Sequence, residues 1–215
     1  MQPRFYPMLP VVTALLITAG ALAGTAAAQS FAEATRTDHP AVQTVLKSEE
    51  VIGAETVKRA YINFGTNEFA FVVPAGFRLD ALTSGKIALV KEDYTCSISL
   101  VFKDAPAATS PSLRADTLRQ TLLDRFPGAK IEEEFSRSAA NHSGPAFDLH
   151  VPNGAGGVQY ARVVCIPFNA GIIEFTLLAS TNQISTSQYA FDSILLTFCS
   201  NEEGELVVRS LSTES

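Results

Sequence analysis

Hydrophobic and polar residues alternate in several short stretches of the chain, the pattern of a β-strand with one buried face. The clearest stretch is TCSISLVFKD, whose predicted buried face carries Cys96, Ile98, Leu100 and Phe102. KIALVKE precedes it closely, so the two stretches are predicted to form a hairpin. A second hairpin is predicted in YINFGTNEFAFVVPAGF, with GTNE as its turn and Pro74 ending its second strand.

Apolar residues take helical spacing in three other places. In residues 111–126, apolar residues recur every three or four positions after the candidate N-cap Ser110, and a Pro-Gly pair ends the pattern. A shorter helix is predicted over residues 40–52. Near the end of the chain, QYAFDSILLTFCS predicts a helix with one apolar stripe formed by Phe191, Ile194, Leu195 and Phe198.

Four further strands are predicted between the two longer helices, over residues 129–139, 145–152, 157–168 and 171–181. The links between them are short, which favours antiparallel pairing, because parallel strands need long crossovers. The last two strands are apolar on both sides, as is typical of central strands covered on both faces. An antiparallel sheet with an apolar face needs a cover, so we expect the closing helix to pack on it.

The N-terminus has the three parts of a secretory signal peptide: a short region with Arg4, an apolar run over residues 9–24, and a small-residue cleavage pattern. Cleavage is predicted between Ala28 and Gln29. The alternative is an uncleaved anchor, but the apolar run is shorter than the roughly 20 residues that span a bilayer. The chain is therefore predicted to consist of a signal peptide (1–28), a flexible segment (29–39), one α+β domain (40–200) and a polar tail (201–215).

Composition narrows the class of protein. The chain has 215 residues, of which 47% are hydrophobic, enough for one substantial core. Its formal net charge is −6, and its Lys and Arg residues are scattered rather than clustered. Nucleic-acid binding is therefore not expected, because neutralising phosphates takes clustered cations.

Residues 69–77, FAFVVPAGF, resemble the opening strand and Pro-x-Gly-aromatic turn of the PsbP-like superfamily, which includes photosystem accessory subunits, Ran-binding Mog-type proteins and exported bacterial proteins of unknown role. The closing helix, with Phe191, Ile194, Thr197 and Phe198, resembles the end of that fold. The resemblance spans roughly residues 57–199. It implies an α/β/α sandwich, in which helices on both faces flank an antiparallel sheet of about six to seven strands. It transfers no function and no site residues.

Three cysteines, Cys96, Cys165 and Cys199, allow one disulfide in an exported protein. Pairing of Cys96 with Cys165 is favoured, because both lie within predicted strands that a sheet can bring together. A bridge that includes Cys199 is the alternative.

Asp148 and His150 lie two residues apart on one predicted strand and so share a face, with Arg162 on the next strand. They form either an acid–base pair or charges partnered across neighbouring strands, and the second interpretation is favoured because no nucleophile motif accompanies them. Ser143-Gly144 and the glycine-rich residues 153–157 lack the flanking residues of a catalytic serine turn or a phosphate loop, so they predict turns. Residues 132–134, three glutamates, predict a solvated strand rather than a cation site.

No catalytic, cofactor-binding or metal-binding residue is therefore predicted. The sequence favours a monomeric, non-enzymatic accessory or binding protein, periplasmic or secreted, with a protein or small-molecule partner of unknown identity and no membrane span after signal removal. Two alternatives stay open: a hydrolase-like enzyme with a dispersed site near Asp148 and His150, and a carrier of small apolar ligands.

The signal peptide gives the first testable prediction. When the full chain is expressed in a bacterium with a periplasm, we expect the protein outside the cytoplasm, with Gln29 as its first residue. N-terminal sequencing and intact mass after cell fractionation measure this. A cytoplasmic product that retains Met1 would contradict it.

Overall fold

The computed structural model describes residues 42–50, 56–83, 85–104, 114–153, 156–168 and 171–201, without the side chains of residues 81–83 and 104. The predicted signal peptide, flexible segment and tail beyond residue 201 lie outside these residues, as does the candidate N-cap Ser110. The described residues form a sheet-dominated α+β fold, with eleven strands in two antiparallel sheets and two α-helices.

The smaller sheet has four strands in the order β1-β2-β3-β11. Their bounds are β1 Gln43–Glu49, β2 Val57–Phe64, β3 Asn67–Val73 and β11 Cys199–Ser200. The predicted hairpin is confirmed: β2 and β3 pair through a turn at Gly65, which has a positive φ of 62°, and β3 ends before Pro74.

The helix predicted over residues 40–52 is wrong for its described part, because that part is strand β1. Seven residue pairs join β1 to β2, from Gln43 opposite Asn63 to Glu49 opposite Val57. The apolar side chains there are largely exposed, Val45 at 53% and Leu46 at 45%. This segment is therefore held by backbone pairing with β2 and has no buried helical stripe.

The larger sheet has seven strands in the order β4-β5-β6-β10-β9-β8-β7. Their bounds are β4 Phe77–Thr83, β5 Lys86–Lys91, β6 Cys96–Asp104, β7 Lys130–Ala139, β8 His142–Pro152, β9 Val158–Phe168 and β10 Gly171–Ser180. The hairpin β5–β6 and the antiparallel run β7 to β10 are confirmed. β4 was not predicted.

Gly144, predicted in a turn, lies within β8 instead. A Cβ atom at this position would come within 1.8 Å of the Cys165 carbonyl oxygen.

Two helices accompany the sheets: α1, Ala115–Arg125, and α2, Ile184–Thr197. The predicted stripe on the closing helix is confirmed, since Phe191, Ile194 and Leu195 are buried, as is Phe198 directly after the helix. α2 begins several residues earlier than QYAFDS, following a short 3-10 turn at Thr181–Gln183. Of the helices in the described residues, neither has the length and hydropathy needed to cross a membrane.

The core lies mainly between the two sheets, where phenylalanines from both meet the end of α2. On the opposite face of the large sheet, Leu122 of α1 packs in a smaller cluster with Phe147 and Val163. The prediction of one sheet with six to seven strands is therefore too simple. The α/β/α sandwich describes the structure only in part, because the four-stranded sheet forms much of the cover on one face of the seven-stranded sheet.

Candidate functional site

Asp148 and Arg162 form a buried ion pair between neighbouring strands. The pairing of β8 with β9 places the two residues opposite each other. Arg162 donates from Nε to Asp148 Oδ1 at 2.7 Å and from Nη2 to Asp148 Oδ2 at 2.8 Å. Only 7% of Asp148 and 6% of Arg162 is exposed. This two-point contact satisfies both carboxylate oxygens and fixes the plane of the guanidinium.

Aromatic and polar groups surround this pair. The Arg162 guanidinium lies over the Phe135 ring, 5.0 Å from its centre. Burial by itself lowers the pKa of Arg162, but the hydrogen bonds and charge of Asp148 outweigh it and raise that pKa above its ordinary value. Burial raises the pKa of the Tyr160 hydroxyl above its ordinary value. The cluster therefore behaves as a fixed, paired set of groups.

Two residues of α2 reach this cluster. Gln188 donates a hydrogen bond from Nε2 to the Tyr160 hydroxyl at 2.7 Å. One turn further along, Asp192 Oδ1 lies 3.6 Å from Arg162 Nη1, and its Oδ2 lies 3.7 Å from Nη2 of Arg137. The ion pair thus helps to fix α2 on the sheet.

His150 does not join this cluster. Its Nδ1 lies 3.2 Å from Glu132 Oε1, and 42% of its side chain is exposed. Of the three residues singled out in the sequence, the structure brings together only Asp148 and Arg162. This geometry matches the interpretation of charges partnered across strands.

The three consecutive glutamates lie on β7, the last strand of the large sheet. Glu132 accepts a hydrogen bond from Lys130 at 3.0 Å, and Glu134 contacts Arg119 of α1. Glu133 is exposed. Among the described residues, no three His, Cys, Asp or Glu side chains are placed to share a metal ion.

A second buried carboxylate, Glu174 on β10, was missed in the sequence. It is 5% exposed and accepts hydrogen bonds from Lys103 at 2.8 Å and from Arg125 of α1 at 2.5 Å. Burial alone would raise the pKa of Glu174, but the two cations hold it below its ordinary value. The signal available in the sequence was a single charge inside the apolar stretch GIIEFTLL.

The predicted disulfide is not formed, and all three cysteines are free thiols. Both cysteines lie on strands that pair with β10, where Cys96 is opposite Ala179 and Cys165 is opposite Glu174. Along β10, Ala179 and Glu174 are an odd number of residues apart. The two thiols therefore lie on opposite faces of the sheet, separated by a strand. Burial raises the pKa of both, to about 12 for Cys165. Cys199 lies half-buried on β11.

A groove of about 590 Å³ runs between the β7–β8 turn and the end of α2. From here on, "the groove" means the space lined by residues 138–142, Leu195, Leu196 and residues 198–200. The turn uses two non-glycine residues with positive φ, Ala140 at 47° and Asn141 at 61°. Leu196 is 85% exposed, unlike its buried neighbour Leu195. The groove therefore presents apolar side chains together with hydroxyl and amide groups at an accessible surface.

No protein-family model matches the chain, and the comparison with curated proteins finds no significant match. Solved structures similar to it include members of the PsbP-like fold, as the sequence resemblance predicted. A cyanobacterial PsbP (CyanoP) from Synechocystis sp. PCC 6803 is 15% identical, with a TM-score of 0.39 over 76% of this chain and 95% of that one.

The Ran-binding protein Mog1p from Saccharomyces cerevisiae is 12% identical, with a TM-score of 0.43 over 73% of this chain and 95% of that one. LpqN, involved in cell envelope biogenesis of Mycobacterium tuberculosis, is 14% identical, with a TM-score of 0.41 over 74% of this chain and 91% of that one. Similarity at this level assigns no function, so the function has to be argued from the chain's own residues.

The buried ion pair gives a stability prediction. Replacing Asp148 by alanine removes both hydrogen bonds of the buried Arg162 to a carboxylate and leaves only the longer contact with the half-exposed Asp192, which we expect to lower the free energy of unfolding by about 3–5 kcal/mol. The control is Glu132→Ala on the exposed part of β7, expected to change it by less than about 0.5 kcal/mol. Urea unfolding measures both. Equal effects of the two substitutions would show that the pair is not a structural element.

Proposed function

We propose that this chain is an exported, non-enzymatic binding protein that holds an extended segment of a partner protein in the groove. The observation that carries the proposal is the exposed apolar side chain of Leu196 beside a cavity of about 590 Å³. A concave surface that combines apolar side chains with a few polar groups is the usual setting of a binding site.

An extended segment fits because strands at the edges of both sheets border the groove. Ser138 and Ala139 belong to β7, the edge strand of the seven-stranded sheet, and Cys199 and Ser200 form β11, the edge strand of the four-stranded sheet. Edge strands present backbone N–H and C=O groups that an added strand can pair with. Recognition by strand addition takes its affinity from these groups and its specificity from pockets for alternate side chains. Here Leu196 would contact one apolar side chain of the segment.

The arrangement of charges supports a binding role rather than an acid–base one. Both oxygens of Asp148 are bonded to Arg162, so the carboxylate has a structural partner in place of a substrate. His150, the other candidate, lies beside Glu132 outside that cluster. The hydrolase-like alternative therefore lacks the convergence of groups that such a site requires.

Photo-cross-linking from the groove tests this function. A photoreactive amino acid is placed at Leu196 or Asn141, both at the groove, and as a control at Val158, an apolar residue that is 48% exposed on β9. In the cells that naturally produce the protein, we expect the same discrete adduct from both groove positions and none from Val158. Adducts that do not depend on position, or none from the groove, would refute the proposal.

The segment found in the adduct is then synthesised as a peptide, and its binding to the purified chain is measured. Leu196→Asp places a charge at the centre of the proposed contact, and we expect it to weaken binding at least about tenfold. Val158→Asp is the matched control and should leave the affinity unchanged. An affinity that is indifferent to Leu196→Asp would place the peptide elsewhere.

A further inference from the structure

β11 is a short edge strand that borders the groove. In the sheet order of the described residues, it ends the four-stranded sheet beside β3. Directly after β11, Asn201 donates its backbone N–H to the carbonyl oxygen of Glu68 at 3.1 Å. Backbone groups of successive strand residues alternate in direction, so Ser200 points its N–H and C=O away from β3. Ser200 also lines the groove, where these two groups offer a pairing position to one further strand.

The sequence that follows β11 predicts a hairpin. Asn201-Glu202-Glu203-Gly204 stands between Ser200 and the apolar run LVV at residues 206–208. Asn and Gly are typical turn residues, and a link of three to five residues that contains glycine is typical of two antiparallel strands. Hairpin loops of four residues are common. A loop formed by residues 201–204 would place Glu205 opposite Ser200, at the pairing position that faces the groove.

The same register decides which side chain would enter the groove. The next two pairs put Leu206 opposite Cys199 and Val207 opposite Phe198. Phe198 turns its ring into the core, so Val207 would point to that side of the sheet and Leu206 to the other. The groove lies on the side of Phe198, and its apolar lining includes the exposed Leu196. A valine at this position would remove apolar surface of both residues from water.

We propose that residues 205–207 of this chain add to β11 as a fifth strand of the four-stranded sheet, with Val207 in the groove. The four residues of the loop tether this segment at an effective concentration of about millimolar. A partner segment that pairs with β11 then has to displace it, so the chain regulates access to its own groove. The regulation rests on the proposed function, whereas the docking of residues 205–207 does not.

Disulfide trapping with the natural Cys199 tests the docking. Leu206 would lie opposite Cys199 in a pair without mutual backbone hydrogen bonds, where the Cα–Cα distance of about 4.5 Å suits a disulfide. Leu206→Cys is compared with the control Val207→Cys, whose side chain would point to the opposite face. Each purified full chain is equilibrated in a glutathione redox buffer, and intact mass and peptide mapping measure its intramolecular bridge to Cys199. We expect the bridge to be favoured at least about tenfold in Leu206→Cys.

Unfolding in urea supplies the reference for this comparison. There the two variants should form the bridge equally, because their tethers differ by a single residue. Equal bridging in the folded protein, or more bridging in Val207→Cys, would overturn the docking. A bridge from Cys199 of one molecule to position 206 of another would also overturn it, because residues 205–207 would then pair with a second copy of the chain.

Truncation after Asn201 tests the regulation. The peptide identified by cross-linking should bind at least about tenfold more tightly to the truncated chain than to the full chain, since no tethered segment competes with it. Equal affinities would overturn the regulation. A selective bridge in Leu206→Cys without peptide binding would support the docking and refute the proposed function. Peptide binding without a selective bridge would refute the docking and leave the proposed function standing.

Discussion

The contact on which the rest of the structure depends is the packing of the Phe198 ring between the two sheets. This ring stacks on Phe69 of β3 at a centroid distance of 5.5 Å and meets Phe175 of β10 edge-on at 5.1 Å. It thereby joins the small sheet, the large sheet and the end of α2 at one point. The groove uses the end of α2 as a wall, so its shape depends on this anchor.

Charged and polar contacts hold both helices on the large sheet, in addition to apolar packing. α2 reaches the Asp148–Arg162 pair through Gln188 and Asp192, and α1 reaches Glu174 through Arg125. The two clusters lie on opposite faces of the large sheet, because Arg162 lies opposite Leu177 of β10, an odd number of residues from Glu174. Buried charges are costly unless they are paired, so each pair tolerates only a narrow range of helix positions. The same pairing engages both oxygens of each carboxylate.

The sequence predicted those elements whose signal is local. Alternation in residues 96–102 and the stripe from Phe191 to Phe198 each report one buried face, and both were confirmed. β1 was misassigned because Val42, Val45 and Leu46 fit helical spacing, while pairing with β2 decides the structure. The cysteine pairing failed because the face of each thiol depends on the alignment with β10, which no local pattern contains.

A double-mutant cycle on Phe69 and Phe198 tests most directly whether this ring joins the two sheets and α2. Each is replaced by leucine, singly and together, and the free energy of unfolding is measured for all four proteins. Stacked rings at this distance should give a coupling energy of about 0.5–1.5 kcal/mol between the two positions. Effects that add to within about 0.3 kcal/mol would show that the rings do not interact, and would contradict the account.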